Sequence, residues 1–150
     1  MLDRIWSQLT NGNRLVTIGV LFATFGFLLS WISVFSPLGS RADLSGWGFS
    51  SLSPSVYFVL LAGVAAGGLI YLSSQSGQLN TWDTYGFITL AILALFILAT
   101  QLYTQIQSDT FDGLMIVYHP ALWAVILGHT AILAGGYMNI RESGMRLPLN

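Results

Sequence analysis

Long windows without a charged residue are the feature that most limits what this chain can fold into. A helix needs roughly 20 apolar residues, at a rise of about 1.5 Å each, to cross about 30 Å of hydrocarbon. Because the backbone finds no water there, each crossing segment must be helical. The windows predict four membrane spans, at about 15–36, 55–73, 84–106 and 120–140.

The composition excludes two other classes of protein. Only 7% of the 150 residues are charged and 54% are hydrophobic, whereas a soluble domain carries about 25% charged residues. A soluble monomeric enzyme is therefore excluded, and so is a disordered chain, which would be poor in apolar residues. The sequence predicts an all-α integral membrane protein, a four-helix transmembrane bundle that forms a single membrane domain over 1–150.

A short amphipathic helix is predicted before the first span. Leu2, Ile5, Trp6 and Leu9 recur with helical spacing on one face, and the stretch ends at the turn residues 11–13. We expect an interfacial helix over about 2–10 that lies on the membrane surface. The alternative is a docked or frayed N-terminal segment.

The arginines predict the orientation in the membrane. Arg4 and Arg14 precede the first span, Arg141 and Arg146 follow the fourth, and Arg41 is alone in the first loop. Positive charge is retained on the cytoplasmic side, so we expect both termini there, in a prokaryotic cytoplasmic membrane. The first and third loops would then face outward.

Small residues form seams on three of the four spans. Helices in lipid gain little hydrophobic energy by meeting, so small residues that let backbones approach closely take its place. The residues expected to pack the helices are Gly19, Ala23, Gly26 and Ser30 in the first span, Gly63 and Gly67 in the second, and Ala124, Gly128, Ala131 and Gly135 in the fourth. The third span carries bulky side chains and is expected to face lipid or a partner. Oligomerisation through these seams is the alternative to packing within one chain.

His129 is the one ionisable residue predicted to lie deep inside a span. It follows Pro120 by about 14 Å along the helix, which places it near the bilayer centre. At that depth a neutral imidazole can ligate a haem or chlorophyll-type tetrapyrrole, or relay protons. The alternative is a hydrogen bond to a neighbouring helix, which the absence of a carboxylate from the spans favours.

The third loop, about 107–119, is a candidate partner surface. It combines polar residues with an apolar run, and the residues expected to contact a partner are Phe111, Leu114, Met115, Tyr118 and His119. Alternatives are a quinone site, or a turn at Asp112-Gly113 followed by a segment that rests on the membrane. In the first loop, Arg41 and Asp43 are expected to form a solvated pair of little energetic value.

No catalytic or metal-binding motif is recognisable in the sequence. There is no Cys, no H-E-x-x-H, no G-x-S-x-G and no phosphate-binding glycine loop. Five basic residues without a cluster do not suit a nucleic acid backbone, so no nucleic acid partner is expected.

These features favour a non-enzymatic accessory subunit of a larger membrane complex, of the respiratory or photosynthetic type. Its expected partners are other membrane chains and lipid, and the sequence requires no cofactor. A haem- or chlorophyll-binding subunit that uses His129 is one alternative, and a homo-oligomeric channel or pore is another.

Overall fold

In the computed structural model, which describes residues 9–76, 81–106 and 113–143, the chain is mostly helical with one small sheet. The helices are α1 (Asn11–Leu28), α2 (Gly46–Leu52), α3 (Tyr57–Ser76), α4 (Thr81–Ile106) and α5 (Pro120–Ser143), with a 3-10 turn at Pro54–Val56 before α3. The strands are β1 (Ser30–Phe35), β2 (Arg41–Ser45) and β3 (Met115–Tyr118). The predicted interfacial helix over about 2–10 lies outside the described residues, except for its last two positions.

In the part of the chain that the structure describes, three helices are long and apolar enough to cross a membrane. Their spanning segments are Pro54–Leu72, Asp83–Thr104 and Pro120–Glu142, which correspond to the second, third and fourth predicted spans. Pro120 opens α5 as its first residue, where the missing N–H costs no hydrogen bond. These three helices are consistent with a membrane location.

The first predicted span differs from the structure. It was expected to be helical over about 15–36, but α1 ends at Leu28 and the residues from Ser30 to Phe35 form β1. The apolar part of α1, from Leu15 onward, covers only about 20 Å, which is less than the hydrocarbon thickness. Of the four predicted spans, three therefore qualify by length and composition, and α1 is a shorter helix beside them.

A β-hairpin stands where the last turns of the first span were expected. Four of the five residues 31–35 are aromatic or β-branched, a composition that favours a strand. At the turn, the Gly39 N–H donates to the Ser36 carbonyl at 3.0 Å, and Gly39 has φ +84°, which glycine adopts without strain. β1 is the central strand and pairs antiparallel with β2 on one side and β3 on the other.

Trp31 is the centre of the core where the sheet meets the helices. Its ring is fully buried, makes an edge-to-face contact with Phe27 at 5.4 Å between centroids, and lies beside Phe49 of α2. The indole N–H donates to the Gly26 carbonyl at 3.0 Å. This end of the molecule, which carries the three strands, is called the sheet end below.

Candidate functional site

The closest approach between two helix backbones is that of α1 and α5, which run antiparallel. A methyl group on Gly128 would lie 2.5 Å from the Ala23 amide nitrogen and 2.7 Å from the Gly19 carbonyl oxygen. One on Gly26 would lie 2.9 Å from the Ala121 carbonyl oxygen, and one on Gly135 would lie 2.5 Å from the Gly12 carbonyl oxygen. Real Cβ atoms do not approach backbone atoms this closely, so glycine is required at these contacts. The two backbones therefore touch along the length of both helices.

Most of the other small residues predicted to pack helices also lie between helices of one chain. Gly63 and Gly67 of α3 face α1, where added methyl groups would lie 3.5 Å from the Ala23 side chain and 3.2 Å from that of Val20. Ala23 is buried in this contact, whereas Ala124 and Ala131 are half-buried. Ser30 is exposed at the first position of β1, so it lies outside the helix contact.

A buried polar cluster connects α1 and α5 at the end opposite the sheet. The Asn139 amide donates to the Asn13 side-chain oxygen at 2.8 Å, and the Thr10 hydroxyl donates to the Asn139 oxygen at 3.0 Å. Thr10 also caps α1 by accepting from the Asn13 N–H at 3.1 Å. The sequence analysis missed this cluster, although both asparagines continue the small-residue seams, Asn139 coming one turn after Gly135.

His129 is buried between α5 and α3. Its Nε2 lies 3.1 Å from the Val59 carbonyl oxygen of α3, and its Nδ1 lies 2.9 Å from the Val125 carbonyl oxygen one turn earlier in α5. A neutral imidazole has one N–H, so only one of these contacts is an ordinary hydrogen bond. Because both nitrogens face carbonyl oxygens, ligation of a tetrapyrrole would need the ring to turn away from one of them. The ligand role of His129 stays a prediction.

The residues of the candidate partner surface have different surroundings. Met115 and Tyr118 are exposed on β3, an edge strand, whereas Leu114 is half-buried and packs on the core. The His119 side chain is hydrogen-bonded to Ser33 of the sheet. Phe111 lies outside the described residues.

His119, which directly follows β3, ends a chain of hydrogen bonds that continues through β1 to β2. Its Nε2 lies 2.6 Å from the Ser33 hydroxyl oxygen of β1, and that hydroxyl donates to the Asp43 carboxylate of β2. Arg41 donates to the same carboxylate oxygen from its Nε at 2.9 Å. We call these four side chains the strand relay. The expected pair of Arg41 and Asp43 is present and exposed, but its link to Ser33 and His119 was missed because β-pairing alone brings them together.

The strand relay contains the residue types of a hydrolase triad in a different arrangement. In such a triad the histidine lies between the other two, accepting from serine and donating to the acid. Here serine is central, its hydroxyl donates a hydrogen bond to the carboxylate, and Ser33 is only 1% exposed. A nucleophile needs a free approach for its substrate, so this geometry points to a structural relay.

The relay predicts how acid affects stability. The hydrogen bond from Ser33, followed by that from Arg41, lowers the pKa of Asp43 below its ordinary value of 3.8. A lowered pKa in the folded state stabilises the protein above the ordinary value, and this contribution is lost as the pH falls through the folded-state pKa. Thermal unfolding of the wild type and of Asp43→Asn should therefore differ by a constant amount above about pH 5 and converge in stronger acid. A difference that grows on acidification would contradict the prediction.

No protein-family model matches this chain, and neither a curated protein nor a solved structure is significantly similar to it.

Proposed function

We propose that this chain is a non-enzymatic accessory subunit that packs against other chains of a larger membrane complex, of the respiratory or photosynthetic type. The observation that carries the proposal is the division between the inner and outer surfaces of the helices. Apart from the exposed Gly68, the glycines of α1, α3 and α5 contact other helices of the same chain, and large apolar side chains lie on the outside. This also makes the seams unavailable for packing a second copy.

Among the three candidate spans, that of α4 is the least covered by the rest of the described chain. Only 22% of its spanning segment is buried, compared with 33% for that of α3 and 39% for that of α5. Its exposed large side chains include Ile92, Leu93, Phe96 and Tyr103. Such a surface suits a lipid-embedded contact with another helix through van der Waals packing.

The test is the native mass and composition of the complex extracted in mild detergent. Replacing Leu93 and Phe96 together by alanine should reduce the co-purifying chains at least severalfold. The matched control is the Leu21 and Phe22 pair of α1, which has the same residue types and similar exposed fractions, 51% and 52% against 51% and 65%. The control double alanine variant should retain the partner chains.

Other outcomes would overturn this proposal. A native mass that is a simple multiple of 16.3 kDa, with no other chain present, would favour the homo-oligomer. A co-purified pigment lost in His129→Ala would favour the tetrapyrrole-binding alternative. Equal partner loss from the α1 and α4 variants would remove α4 as the docking helix.

We also propose that both termini lie on the cytoplasmic side and the sheet end lies outside. The arginine distribution supports this orientation. Although α1 is shorter than the three candidate spans, it runs antiparallel along α5, so its two ends lie beside opposite ends of that span. The chain has no cysteine, so single cysteines report without background. Leu38, which is 98% exposed at the hairpin turn, should react as Leu38→Cys with an impermeant maleimide on intact cells. Glu142→Cys, at an exposed position near the other end, should react only after permeabilisation, and the reverse pattern would invert the topology.

A further inference from the structure

The strand relay allows only one neutral form of His119 if every donor is to have an acceptor. A serine hydroxyl has a single proton, and an ionised carboxylate only accepts. The Ser33 proton is directed to Asp43, so the Ser33 oxygen is left to accept from His119. The neutral imidazole must then carry its proton on Nε2 and leave Nδ1 with a lone pair.

We propose that Asp43, acting through Ser33, is a positioning residue that fixes the Nε2–H tautomer of His119. Asp43 does not touch the imidazole through a hydrogen bond of its own, and its effect passes through one buried hydroxyl. Arg41 holds the carboxylate oxygen from the exposed side. Arg41 and His119 are the charged or titratable groups that act on Asp43 in the part of the chain that the structure describes.

His119 lies where β1, β3 and α5 meet, and its tautomer determines what its free ring nitrogen can bind. Its backbone N–H donates to the Trp31 carbonyl at 2.7 Å, and its carbonyl accepts from Leu122 in the first turn of α5 at 3.2 Å. The residue therefore joins β1, β3 and α5. With Nε2 committed to Ser33, the imidazole offers the lone pair of Nδ1, which can accept a hydrogen bond from a donor group or ligate a metal ion.

Nitrogen-15 NMR of protein labelled at histidine tests the proposal, because the chain has two histidines and His119→Gln assigns their signals. We expect the neutral imidazole of His119 in the wild type to carry its proton on Nε2 and to leave Nδ1 unprotonated. In Asp43→Ala the remaining acceptor for Ser33 is Nε2 itself, so the proton should move to Nδ1 and the tautomer ratio should invert. Asp43 is exposed, so this variant should fold.

Two control variants separate the relay from a general effect on the sheet. Asp43→Asn keeps an oxygen acceptor for Ser33 and should retain the Nε2–H form, whereas Arg41→Ala leaves the Ser33 acceptor in place and should also retain it. An unchanged tautomer ratio in Asp43→Ala would overturn the proposal. Inversion in Arg41→Ala or Asp43→Asn as well would overturn it too, because the acceptor would then not be the cause.

Discussion

Replacing Gly128 by alanine should lower the free energy of unfolding by about 3 kcal/mol, the upper part of the range for overpacking a tight contact. The added methyl group would lie 2.5 Å from the Ala23 amide nitrogen. That neighbour is backbone, so it cannot give way by a rotamer change, and α1 must move away from α5. Packing contacts would then be lost along the whole α1–α5 seam, because Gly19 and Gly135 also depend on the close approach of the two helix backbones.

Gly68→Ala is the matched control for this substitution. Gly68 lies in α3, is exposed, and would meet no atom within 4 Å of an added methyl group. Its replacement should change stability by less than about 1 kcal/mol, the difference in helix propensity between the two residues. Denaturant titration of the purified protein in one detergent compares the two variants. Equal stability of Gly128→Ala and Gly68→Ala would show that the α1–α5 contact is looser than the structure has it.

The second large effect is expected from Trp31→Ala, which should cost about 3–5 kcal/mol. The substitution leaves a cavity among Phe27, Phe49 and Gly46, where a methyl group on Gly46 would lie 2.5 Å from the indole ring. It also removes the donor to the Gly26 carbonyl. Because α2 and the sheet both pack on this ring, we expect the sheet end to lose order together with stability.

Trp47→Ala is the matched control, because it makes the same substitution at an exposed tryptophan. Trp47 is 57% exposed and makes an edge-to-face contact with Tyr57 at 5.2 Å. Its loss should cost about 1 kcal/mol, the scale of one aromatic pair. Thermal unfolding followed by near-ultraviolet circular dichroism measures both variants. A larger loss in Trp47→Ala than in Trp31→Ala would contradict the assignment of Trp31 as the centre of this core.

Helices α4 and α5 could be placed from the sequence because their signals are local. The apolar windows predicted 84–106 and 120–140, and the helices are Thr81–Ile106 and Pro120–Ser143. The strands could not be placed in this way. Ile32 and Val34 raise the hydropathy of a window whether their backbones bond within a helix or to another strand, so the window extended the first span through β1.

Residue spacing within one helix predicts which side chains share a face of that helix. It does not predict which other helix or strand that face contacts. The spacing of Gly19, Gly26, Gly128 and Gly135 predicted packing seams, yet nothing local shows that α1 faces α5. Ser33 and His119 are 86 residues apart in sequence and meet because β1 pairs with β3. Polar residues that acquire partners through such long-range pairing look like ordinary loop residues in the sequence.

The pairing of α1 with α5 imposes an order on biosynthesis. About 110 residues separate Gly19 from Gly128, which at about 5–20 residues per second take roughly 5–20 s to synthesise. During that interval α1 has α3 as a neighbour, but its tightest surface has no partner, and β1 lacks β3 on one edge. During this time the glycine surface of α1 can pack against small-residue helices of other membrane proteins. The synthesis of α5 is therefore the step after which the native α1–α5 contact can form.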